Sequence, residues 1–170
     1  MNYEKAKAIL EKNSYDFNYM IETREIENYR SYNVPKELEA QWIKEFIERE
    51  SKIFSQKLNN GELAKNEMFY ISSLGKFMDE KVVMYLYNSI RANISRIDPK
   101  SEVVYYYCLS TALDGTETLE QMNSENYNYF IDGMRERLDT IFKENMDIQK
   151  RFQHLYNWCE DMLAKKNQQL

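Results

Sequence analysis

Eleven positions, Tyr127, Ile131, Met134, Leu138, Ile141, Asn145, Ile148, Phe152, Leu155, Cys159 and Met162, follow one another in alternating steps of four and three. Ten of the eleven are apolar or aromatic, which is the pattern of a heptad seam on α-helix and cannot be written on a strand, where side chains alternate in twos. A continuous helix of this span would be roughly 55 to 60 Å long at 1.5 Å per residue. Two readings follow: one long arm, or two helices bent near Asn145. The segment KENMD around Asn145 has neither Pro nor Gly to force a break. Phe130, Phe142, Tyr156, Trp158 and Leu163 widen the apolar face beyond a two-stranded seam, which favours packing inside a bundle over a protruding coil.

The rest of the chain continues the theme. Four glycines and two prolines in 170 residues are too few turn-makers for a many-stranded barrel or sandwich. Tyr3, Ala6, Leu10, Phe17 and Met20 repeat at helical spacing, with a possible break at 12–14. Pro35 suits a helix start, and Trp42, Ile43, Phe46, Ile47, Ile53, Phe54 and Leu58 form a broad apolar face closed by Asn59, Asn60 and Gly61. Leu63 to Phe77 makes another helix, weakened at Gly75; Asp79 separates it from the Val83 to Ile97 series.

Asp98 and Pro99 open, and Asp114 and Gly115 close, the run VVYYYCLSTAL. An alternative is that this run and VVMYLYNSI, 21 residues earlier, are two related strands. The expected fold is all-α, one domain over residues 1–170: a helical bundle of six or seven helices with a long C-terminal helix and a frayed tail at 163–170.

Composition narrows function mainly by exclusion. His154 is the single histidine, so paired-histidine zinc sites and di-iron bundle motifs cannot be built, and its five-residue separation from Cys159 puts the two on different helix faces. The four isolated glycines supply neither phosphate-binding loop. No basic stripe for nucleic acid exists beyond Arg91, Arg96 and Lys100, and no helix has the cationic polar face of a membrane-surface binder. Cys108 and Cys159 read as buried free thiols, and the sequence, lacking a signal-peptide pattern or membrane span, reads as cytoplasmic. No catalytic residue, metal or cofactor is expected.

The net charge of −5 is concentrated late in the chain. No Lys or Arg occurs between Lys100 and Arg135, while Glu102, Asp114, Glu117, Glu120, Glu125 and Asp132 all fall there. Three consecutive tyrosines cannot face one core, because successive helical residues point about 100° apart. With Val104 and Cys108 inward, Tyr107 follows them and Tyr105 or Tyr106 reaches the edge. The expected partner-binding set is Tyr105, Tyr106, Asp114, Glu117, Glu120, Glu125, Tyr127 and Tyr129: an acidic, aromatic surface for a basic protein, such as a nucleic-acid-handling or toxic enzyme, which a regulator or inhibitor would cover. Two alternatives are an aromatic core lined by Tyr70, Tyr87 and Tyr107 that encloses a small apolar ligand, and a homodimer joined through the 127–162 seam.

Overall fold

The computed structural model describes residues 3–169, and all of the regular structure among them is helical. Ten α-helices follow in order: α1 Glu4–Lys12, α2 Phe17–Glu22, α3 Ile26–Arg30, α4 Lys36–Asn59, α5 Lys65–Ser72, α6 Glu80–Ala92, α7 Pro99–Leu113, α8 Glu117–Gln121, α9 Ser124–Glu144 and α10 Met146–Gln168. The number exceeds the expected six or seven because α2, α3 and α8 are five or six residues long, too short to show a period. The strand alternative for the VV runs is overturned, since both lie within α6 and α7.

Local chemistry sets most of the boundaries. Asp16, Asp79, Asp98 and Asn123 each accept hydrogen bonds from backbone N–H groups in the turn they open, satisfying donors that a helix start leaves bare. Gly61 and Gly115 leave α4 and α7 at φ +72° and +71°, a region that costs a residue with a Cβ. Asn13, in the break between α1 and α2, is buried, and its side-chain amide donates to Ile9 O and Glu25 Oε2.

The heptad seam folds back on itself. Asn145 leaves helical conformation (φ −138°, ψ 76°), and its side-chain amide donates to Ile141 O at 2.9 Å. Tyr127 Oη donates to Met162 O at 2.9 Å and Arg135 pairs with Glu160 at 3.2 Å, contacts between opposite ends of the segment that make α9 and α10 an antiparallel hairpin. Ile131, Met134, Leu138, Ile141, Leu155, Cys159 and Met162 are all buried within the chain. Within the chain the two halves of the seam pack on each other. The tail at 163–169 continues α10 to Gln168: Leu163 packs against the core and Lys166 Nζ lies 4.9 Å from the Tyr127 ring centre. Leu170 lies outside the described residues.

Helix α7 sits in the middle, touching α5, α6, α9, α10 and a 3₁₀ turn at Gly75–Phe77. Apolar side chains from every helix join one contiguous core around it. Two glycines mark close approaches. A Cβ on Gly75 would stand 2.0 Å from Ala112 O on α7, and one on Gly133 of α9 would stand 2.3 Å from Tyr87 Oη of α6.

That Tyr87 hydroxyl is sealed from solvent and has no hydrogen-bond partner. An unpaired buried hydroxyl carries a desolvation cost of about 1 to 3 kcal/mol, so Tyr87→Phe is expected to stabilise the protein by about 1 kcal/mol. Gly133→Ala alone should destabilise it. In the Tyr87→Phe background the new methyl meets Cζ at an ordinary 3.5 Å, and replacing a mid-helix glycine then adds about 1 kcal/mol. Urea denaturation of the four variants measures this; additive effects would show that the two positions do not meet.

Candidate functional site

The tyrosine triplet is oriented opposite to the expectation. Tyr105 and Tyr106 are 0% exposed and Tyr107 is 39% exposed. Helix α7 is enclosed on most of its circumference, and its one open stripe runs through Tyr107, Thr111 and Asp114, spaced i, i+4, i+7. Tyr105 Oη accepts the Ala64 backbone N–H at 3.1 Å, and its ring meets Phe54 edge-on. Tyr106 Oη donates to Glu102 Oε2 at 2.7 Å. Burial, with the Glu102 charge beside it, pushes the Tyr106 phenol far above its ordinary range. Neither residue can form a docking face. Tyr127 is also buried, with its hydroxyl spent on Met162 O, which corrects a third member of the expected set.

Glu102 leaves the acidic surface as well. Its carboxylate is 1% exposed and takes Arg137 Nε at 2.9 Å and Nη2 at 2.8 Å, a bidentate pair between α7 and α9. Asp132 pairs with Arg135 at 2.7 Å. The fold thus brings Arg137 of α9 to an acid that looked isolated in the sequence, whereas Asp132 is paired within its own helix at i, i+3.

The remaining expected residues are at the surface. Helix α8 is pinned by buried Leu119 and Met122 and by Thr118 Oγ1, which donates to Met78 O at 2.7 Å; Glu117 and Glu120 consequently face outward. Glu125 in the first turn of α9 is exposed, as is Tyr129 one turn later on the same face. Asp114, Glu117, Glu120, Glu125 and Tyr129 are the part of the predicted set that the structure leaves accessible. On one flank, Lys165 and Lys166 of α10 share a depression with Asp114 and Glu120, a neutralising contribution invisible in the local sequence.

A second feature had no single-segment signature. Tyr107, Thr111 and Asp114 of the α7 stripe, with the buried Ser110 beside them, face His154 and Trp158 of α10 across a groove of about 200 Å³. Trp158 Nε1–H donates to Asp114 Oδ1 at 3.0 Å, and the Tyr107 and His154 rings stand 5.6 Å apart, nearly perpendicular. The stripe of Tyr107, Thr111 and Asp114, together with His154 and Trp158 at i and i+4, was the available signal. Only the fold sets the two stripes opposite each other.

Tyr70, Tyr87 and Tyr107 do not share an interior space: Tyr70 lies against Phe46, Tyr87 among Tyr106, Tyr129 and Phe130, and Tyr107 against Phe152 and His154. Cys108 and Cys159 are buried free thiols, and burial pushes them up to about 11 and about 12, so neither is a ready thiolate at neutral pH. Among the described residues no helix is long and apolar enough to cross a membrane. No protein family, curated protein or solved structure matches the chain.

Proposed function

We propose that this chain is a non-enzymatic interaction module, a regulator or inhibitor that covers a basic protein with the face formed by Asp114, Glu117, Glu120, Glu125 and Tyr129. The observation that carries the reading is the anchoring of α8. A five-residue helix is held to the body by two buried apolar side chains and one hydroxyl, and both of its acids point to solvent. Outward carboxylates on α8, with Glu125 one turn from the exposed Tyr129 ring, suit a cationic protein surface, of the kind that nucleic-acid-handling or toxic enzymes carry, better than a phosphate-bearing ligand. The small-ligand alternative receives no support from the dispersed tyrosines.

The test is charge reversal at Glu117, Glu120 and Glu125 to Lys, with the protein immobilised and the captured species identified. The unaltered chain is expected to retain a protein richer in Lys and Arg than in Asp and Glu, and to release it at about 0.5 M salt, where screening shortens to a few ångströms. The triple variant should lose it while its Tm shifts by no more than a few degrees, since the three positions are exposed. Retention unaffected by the reversal, or a captured protein with no cationic excess, rejects the reading.

A further inference from the structure

The groove between α7 and α10 has the composition of a cation receptor. Its borders offer the rings of Tyr107, His154 and Trp158, the hydroxyls of Ser110 and Thr111, and the Asp114 carboxylate, and no Lys or Arg lines it. Aromatic faces attract a cation through their quadrupole, most strongly for indole. The carboxylate supplies the counter-charge at one end. Holding the Trp158 N–H at 3.0 Å uses one acceptor position of Asp114 and leaves others, because an ionised carboxylate has about four. That same hydrogen bond fixes the indole relative to the charge, and Phe152, stacked on His154 with 6.1 Å between centres, backs the opposite wall.

We propose that this groove receives the guanidinium of an arginine side chain projecting from the basic partner. The assignment rests on the function proposed above, and it names the anchor that function lacks. A guanidinium is planar, carries five donors and no acceptor, and lies flat on aromatic rings while bonding a carboxylate, so it matches a site made of ring faces and acceptors. An ammonium is a compact, more strongly hydrated charge that gains less from such walls. Lys165 and Lys166 lie in the depression on the other side of Asp114, with Gly115, Leu119 and Glu120, and leave the aromatic side open. Asp114 thus belongs to both features: the acidic face steers the partner, and the groove takes hold of one side chain.

The experiment follows the indole N–H resonances of the intact chain, which has two tryptophans, with Trp42→Phe used to assign Trp158. A tetra-arginine amide should shift the Trp158 signal saturably and leave that of buried Trp42 in place. Asp114→Asn, an exposed substitution that keeps an oxygen for the indole, should weaken binding at least tenfold, His154→Ala several-fold, and Glu117→Gln less than twofold. The assignment is overturned if Trp158 does not respond, if tetra-lysine amide binds as tightly, or if free methylguanidine binds as tightly as the peptide, which would mark a site for a small cation. A Trp158 response in a chain whose charge-reversed variant still captures its partner would reject the acidic face alone, and the converse pair of results would reject the groove alone.

Discussion

Arg137→Met is expected to destabilise the protein by about 3 kcal/mol at pH 7, near the lower end of the range for removing one member of a buried ion pair, because Arg137 is itself about one-quarter exposed. The deficit comes from what remains rather than from the lost contact. Glu102 would be left in the core with a single donor, the Tyr106 hydroxyl, for a full negative charge. Adding Glu102→Gln removes that charge and should recover much of the loss, an outcome that a purely steric role for Arg137 does not produce. Chemical denaturation of the single and double variants measures both steps. Equal stabilities for Arg137→Met and the unaltered chain would show that the pair contributes nothing across the α7–α9 contact.

Gly75→Ala should cost about 3 kcal/mol or more, lowering Tm by roughly 10 °C in a chain of this size. The new methyl would stand 2.0, 2.6 and 2.9 Å from O, C and Cα of Ala112, and none of these is the end of a flexible side chain. Relief requires moving either the 3₁₀ turn or the backbone of the central helix. Gly61→Ala provides the comparison: its φ of +72° is unfavourable for alanine, but nothing lies within 4 Å, so a loss of about 1 kcal/mol is expected. If thermal unfolding ranks the two equally, the close approach at Gly75 is not as described.

The helical class was legible because long amphipathic stripes leave periodic traces, and α4, α6 and α9 each carry one. Helix α7 does not. Its run of nine apolar or aromatic residues among the eleven from Val103 to Leu113 has no polar residue until Ser110, so the sequence shows burial without showing direction, and the tyrosine orientation came out reversed. Asn145 illustrates a different limit. The reversal there uses no Pro or Gly; the break is set by the gain from burying the two halves of the seam against each other, a tertiary term that local propensity does not contain. The acidic surface was half readable. Exposure of Glu117, Glu120 and Glu125 followed from their positions, but the withdrawal of Glu102 depended on Arg137, 35 positions later in the chain.

Because the chain reverses direction within one residue at Asn145, pairing α9 with α10 closes almost no loop, whereas bringing Ala64 onto Tyr105 joins positions 41 apart. Synthesis on the ribosome delivers these parts in the opposite order of ease. Helices α1 to α7 emerge first, with the Tyr106 hydroxyl and the Glu102 carboxylate still waiting for Arg137 and with the Tyr87 ring not yet covered by Phe130. A nascent chain stalled before α9 would therefore expose an aromatic flank and leave Glu102 with the Tyr106 hydroxyl as its one donor, and the α9–α10 hairpin completes the molecule.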